Sequence, residues 1–238
     1  MPSYSEDELY SILRPLPRTI RRGRSSIPFV PKSNIDLCHL NDGVFLEGFQ
    51  NCSWKDKNQK NKIVHGFLYD HELEALYRHP KKYISLLAKY YAVMTPDFSI
   101  YRQMDEFNIT AAVYKNRYLG ALWASFGIRV IPTVGWTIPK YDDICFEGIY
   151  PDSTVSISSL GIRQKEECKK TFLAGLKTLE QRLKPRQIIC LGDPLEEMRP
   201  YDNIFYVPYD QSFGNQFQTG WQGRLFWYDE KGEIVYGL

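Results

Sequence analysis

TVSISSLGIRQKEECKKTFLAGLKTLEQRLKPRQIICLG, residues 154–192, reads as strand, helix, strand, and this unit decides the class of fold. The ends, TVSISSLG (154–161) and QIICLG (187–192), have the apolar character of buried strands. Between Gln164 and Leu183, Cys168, Phe172, Leu176, Leu179 and Leu183 recur at spacings of three and four, so one stripe of a helix faces a sheet. Gly175 inside that helix costs about 1 kcal/mol relative to Ala, and close packing of helix on sheet is the expected reason. Two strands joined through such a helix run parallel.

The same alternation extends outward. IVHGFLYD (63–70) is a strand ending in an acid, followed by helical stretches over 72–80 and 81–90 and a strand over 91–94. A long helix covers 104–126 and stops at Gly127, and IRVIPTV (128–134) is the next strand. Beyond the opening unit come a strand over 203–208 and a hairpin turning at Glu230, Lys231 and Gly232. The expectation is an α/β fold with a mostly parallel sheet and helices on both faces, an incomplete (β/α) barrel being the alternative. Residues 1–33 form an N-terminal helix (3–13) and basic arm ahead of a single domain over 34–238. QNCSWKDKNQKNK (50–62) is an exposed polar loop.

At 238 residues the chain is long enough for one well-buried core. No apolar run is long enough to span a bilayer and no secretory leader is recognisable, so no membrane partner is expected. Five scattered cysteines without a CxxC pattern read as reduced thiols of a cytoplasmic protein. A net charge of +2 does not by itself imply nucleic acid, but RPLPRTIRRGR (14–24) holds Arg14, Arg18, Arg21, Arg22 and Arg24 and no acid. These five are the expected phosphate contacts of an extended arm.

Ligands of parallel α/β folds gather where strands give way to helices. Asp97 and Ser99 in TPDFS and Asp70 in YDHE stand at such exits and are the candidate catalytic residues. Asp97 and Asp70 suit a divalent cation, Mg or Mn, or a general base; equally, an Asp before a helix caps it. His65 and His71 flank the 63–70 strand and could add imidazole ligands, although His65, inside the strand, reads more simply as a packed, hydrogen-bonded histidine. Asn116, Arg117, Trp136, Ser158, Gly161 and Asp193 are candidate substrate contacts. Arg117 reads either as a phosphate ligand or as half of a surface ion pair. Asp142, Asp143 and Glu147 are close enough in sequence for a shared cation or are solvated acids. Neither G-x-G-x-x-G nor G-x-x-x-x-G-K-[ST] occurs, and aromatics crowding residues 201–228 serve packing or base stacking.

The run MTPDFSIYRQM, YKNRYLGALW, GIRVIPTVGW, CFEGIYPDSTVSISSLG and FLAGLKTLEQRLKPRQIICLG resembles an uncharacterised bacterial and phage family, a domain of unknown function numbered 4417. The resemblance covers about residues 63–192 and implies a phage or mobile-element context, without an activity. Where the family motif carries a basic residue before the tryptophan, this chain has Gly135, so no phosphate contact is implied there. Two functions are expected: an enzyme acting on nucleic acid or nucleotides through Asp97 and Asp70, or a non-catalytic module that binds DNA through the arm or blocks a host protein.

Overall fold

The computed structural model describes residues 14–37 and 45–207, with 223–224, 226–228, 231 and 233–236 beyond them. The helix expected over 3–13 and most of the aromatic C-terminal segment lie outside the described residues. The parallel strands are β1 (Phe45–Gly48), β2 (Lys62–His65), β3 (Ala92–Met94), β4 (Val130–Ile131), β5 (Val155–Ser158), β6 (Ile188–Leu191) and β7 (Ile204–Val207). The helices are α1 (Asp70–Arg78), α2 (Ile84–Leu87), α3 (Glu106–Ser125), α4 (Asp142–Cys145) and α5 (Glu166–Leu183). Three short strands, β8 (Gly223–Arg224), β9 (Phe226–Tyr228) and β10 (Ile234–Tyr236), complete them; β9 and β10 pair antiparallel, as the expected hairpin.

The strands form two sheets, ordered β4-β3-β2-β1-β8 and β10-β9-β7-β6-β5. Just beyond β4, Thr133 forms a parallel bridge to Ser156 of β5, with Val134 N donating to Ser156 O at 2.8 Å and Ser156 N to Pro132 O at 2.9 Å. At the other side, β8 pairs with β1 and β9 with β7, both antiparallel. The seven parallel strands therefore follow chain order and curve round without making a regular closed barrel.

Alternation along each strand sorts the core into two clusters. Val64, Val93, Val130, Ile188, Cys190, Ile204 and Tyr206 pack with the helices. Ile63, Ala92, Met94, Ile131, Ile189, Leu191, Phe205 and Val207 turn the other way and meet Leu46, Ile35 and Leu37 in a second cluster that contains no residue of α1–α5. The α/β class and the parallel pairing are as expected. Among the described residues the helices pack on one face and the parallel strands are sequential; of the two arrangements left open by the sequence, this is the incomplete barrel.

Asp105 caps α3 by accepting from Asn108 N at 2.8 Å, and twelve of its residues, Ile109 to Trp123, are buried, so it is an interior helix. The basic stretch lies along the body instead of standing free. Arg14 N donates to Tyr114 OH at 3.0 Å, its guanidinium sits 3.7 Å from the Tyr77 ring centre, and Val30 N donates to Gly148 O at 2.9 Å. Sequence patterning missed β1, where FLEG follows a polar stretch, and α4, which is only four residues long.

The close packing expected at Gly175 is found, but against a side chain of the β4–α4 segment: a Cβ there would lie 2.0 Å from Trp136 Cδ1. Gly175→Ala should therefore lower stability by about 1–3 kcal/mol in urea unfolding, although Ala is the better helix former by about 1 kcal/mol.

Candidate functional site at the carboxyl ends of the strands

The turn after β3 is held by its neighbours. Asp97 N donates to Gly66 O at 2.9 Å, and a Cβ on Gly66 would come within 2.7 Å of Pro96 Cα, so only glycine lets the two strand exits approach this closely. Phe98 is buried and anchors the turn. The half-buried Asp97 carboxyl faces the exit of β4, where its Oδ1 lies 3.5 Å from the place a Cβ of Gly135 would take. Asp70 stands at the start of α1, and its Oδ1 accepts from Ser99 N at 3.0 Å. The three candidate catalytic residues thus share one corner.

Burial pushes the Asp97 carboxyl up to about 7; the negative charge of Asp70 adds to the rise and the Arg117 guanidinium opposes it. Beside it a cavity of about 460 Å³ opens between the segments leaving β3, β4 and β5 and the first turns of α5. Asp97, Ser99, Trp136 and Ser158 line it, as do Arg102, Thr137, Lys165 and Cys168, which sequence reasoning missed. Arg102, Thr137 and Lys165 lie on irregular segments, where no periodic pattern marks them, and Cys168 belongs to the apolar stripe of α5, which the sequence assigned to packing. Arg102 pairs with Glu167, another lining residue. Thr137 Oγ1 is buried with no hydrogen-bond partner in the protein.

Asn116 and Arg117 do not reach this cavity; they are buried beneath the strand ends. Arg117 donates from Nε to Glu147 O at 3.1 Å, from Nη1 to Thr133 O at 2.8 Å and from Nη2 to Cys145 O at 2.9 Å. Asn116 Oδ1 accepts from Thr95 Oγ1 at 2.8 Å, and its Nδ2 donates to Pro96 O at 2.8 Å. Thr133 Oγ1 shares a hydrogen bond with Ser156 Oγ at 2.8 Å. Arg117 therefore binds main-chain carbonyls where the sequence offered a phosphate or a surface acid.

The other candidates scatter. Gly161 and Asp193 lie outside the cavity lining; Gly161 has a left-handed φ of 75°, and the Asp193 carbonyl accepts from Ser159 Oγ at 3.0 Å. Burial lowers His65 to about 4, so it is neutral at physiological pH, and His71 stacks on Tyr69. Asp143 pairs with Arg182, Glu147 accepts from Ser25 N at 2.8 Å, and burial raises the Asp142 carboxyl. Among the described residues no three His, Cys, Asp or Glu side chains come together as a metal site. Of the basic stretch, Arg18, Arg21 and Arg24 are exposed, Arg22 donates to Ser26 O at 2.9 Å, and Arg14 is buried. None of the described helices is long and apolar enough to cross a membrane.

The fold and site define an α/β protein of sequential parallel strands with a ligand-sized cavity at their carboxyl ends. The chain belongs to the family described as a domain of unknown function (DUF4417), whose profile matches residues 32–210. It is similar to "Gene 1 protein" of Mycobacterium phage L5, 34% identical over 169 residues, which cover 71% of this chain and 70% of the relative. It is also similar to "Gene 1 protein" of Mycobacterium phage D29, 39% identical over 129 residues, 54% of this chain and 48% of that one. The chain thus spans about half the length of the D29 relative that it matches. No solved structure matches it.

Two consequences follow from the buried charges. Arg117→Ala leaves the carbonyls of Thr133, Cys145 and Glu147 without their donor and should cost about 3 kcal/mol in denaturant unfolding. Asp97 has its pKa raised on folding, so its stabilising effect is complete below the unfolded value of 3.8 and is lost as pH rises through about 7. Asp97→Asn, which cannot ionise, should match the wild type at about pH 4 and be more stable by about 1–2 kcal/mol at about pH 8, the upper limit being reduced because the group is only half buried.

Proposed function

We propose that this phage-family protein is an enzyme acting on nucleotides or on nucleic acid, with the cavity as its substrate site and Asp97 as its general base. The observation that carries this reading is the carboxyl of Asp97: it stands in the cavity at a strand exit and titrates near 7, where a general base works best. An Asp used only as a cap would accept amide hydrogens and sit below the usual carboxylate range. Asp70, by contrast, has an oxygen engaged in holding the turn, accepting from Ser99 N.

The lining suits a phosphorylated ring. Trp136 and Tyr101 offer aromatic walls and Lys165 offers a cation. Asp97 and Asp70 are the carboxylates that would hold Mg or Mn. A base acting without a metal fits better, because one oxygen of Asp70 already accepts from Ser99 and no third ligand joins the pair among the described residues.

A non-catalytic module is the second reading, favoured by the exposed Arg18, Arg21 and Arg24. The test is a panel of nucleoside mono-, di- and triphosphates and short oligonucleotides, with turnover followed by chromatography and binding by calorimetry. Asp97→Asn should abolish turnover, by at least about a hundredfold, while changing affinity less than about threefold, and the wild-type rate should rise through about pH 7. Binding without turnover in the wild type, or full activity in Asp97→Asn, sinks the enzymatic reading.

A further inference from the structure

At the opposite end of the strands the surface is strongly basic. Residues 49–62 hold Lys55, Lys57, Lys60 and Lys62 against a single acid, Asp56. Residues 77–91 hold Arg78, Lys81, Lys82 and Lys89 and no acid. The two segments meet. Tyr91 N donates to Gln59 O at 3.1 Å, Ser53 N donates to Tyr90 OH at 3.0 Å, and Phe49 packs edge-on against Tyr83 with ring centres 5.0 Å apart.

The local acids are already neutralised from below. Lys62 is buried and bonds Asp56 at 2.9 Å and Glu47 at 2.8 Å, so the loop is pinned to β2 by the one lysine that faces inward. Lys55, Lys57, Lys60, Lys82 and Lys89 are exposed. Lys57, Lys60 and Lys89 ring a hollow of about 530 Å³, whose other walls are Asn58, Gln59, Asn61 and Ala88. Trp54 stands beside it, 61% exposed, with Lys89 Nζ 5.3 Å from its ring centre. A field of one sign around an exposed flat ring matches a chain of phosphates carrying unpaired bases.

We infer that this lysine face binds single-stranded nucleic acid, its phosphates on Lys57, Lys60 and Lys89 and a base stacked on Trp54. The surface is separate from the cavity, so the inference does not depend on Asp97 or on any turnover. It also differs from the arginine stretch: Arg14 and Arg22 bond the main chain there, whereas the lysine face presents a concave cationic surface next to an aromatic.

The test uses the full chain and fluorescence anisotropy with labelled oligo-dT, duplex DNA of equal length and anionic lipid vesicles, across a salt series. Wild type should bind oligo-dT more tightly than duplex. Changing Lys57, Lys60 and Lys89 together to Glu should weaken oligo-dT binding at least about tenfold and flatten the salt slope by about 2–3. Trp54→Ala should cost at least about fivefold on oligo-dT and little on duplex. The triple change to Gln serves if the Glu variant has a lower thermal midpoint, and changing Arg18, Arg21 and Arg24 to Ala should leave affinity nearly unaltered. No binding by the wild type, affinity unchanged in the lysine variants, loss only in the arginine variant, or capture by vesicles instead of DNA would each overturn the inference. Oligo-dT binding is read without turnover and the lysine variants leave the cavity lining untouched, so failure at the cavity and failure at the lysine face are read separately.

Discussion

A single buried guanidinium sets the geometry on which the candidate site depends. Arg117 comes up from α3 and ties together Thr133 at the end of β4 and the main chain at Cys145 and Glu147. Its neighbour Asn116 does the same for the turn after β3. Thr133 is also the residue that bridges to Ser156 in the second sheet. Burying an arginine is expensive, and the cost is offset because its donors meet fixed carbonyl oxygens.

That arrangement has a functional reading. Strands two to four residues long cannot by themselves hold two sheets in register, so the polar seam between β4 and β5 does that work. The same seam brings the exits of β3, β4 and β5 round one cavity, and Asp97 is left between desolvation and the pull of Arg117. The carboxyl's unusual protonation and the scaffold's stability are two results of the same buried charge. Neither can be altered without the other responding.

Much of the scaffold was legible from periodicity. The four-element run β5, α5, β6 and β7, the interior helix α3 and the terminal hairpin all follow from apolar spacing, and their bounds fall within a few residues of expectation. β1 and α4 were not legible, being four residues each and lacking a pattern of their own. Strand-exit logic named Asp97, Ser99, Trp136 and Ser158, which line the cavity, and Asp70, which bonds Ser99 beside it. It misjudged Arg117, because a charge inside a helix carries no mark of whether that face is inward. It missed Arg102, Lys165 and Thr137, which tertiary folding brings to the cavity from segments without regular spacing. Gly66 was the overlooked sequence signal: a glycine at a strand exit that allows Pro96 to close on it.

The central claim is that the Asp97 carboxyl changes charge near neutral pH. It is tested most directly by a carbon-detected NMR titration of the protein labelled at its aspartate carboxyls, with the Asp97 signal assigned by its absence from Asp97→Asn. A midpoint at about 7 is the result predicted. A midpoint in the ordinary aspartate range, about 3 to 4.5, would contradict the account, since Asp97 would then be a conventional surface carboxylate and the cavity would hold no base poised for neutral pH.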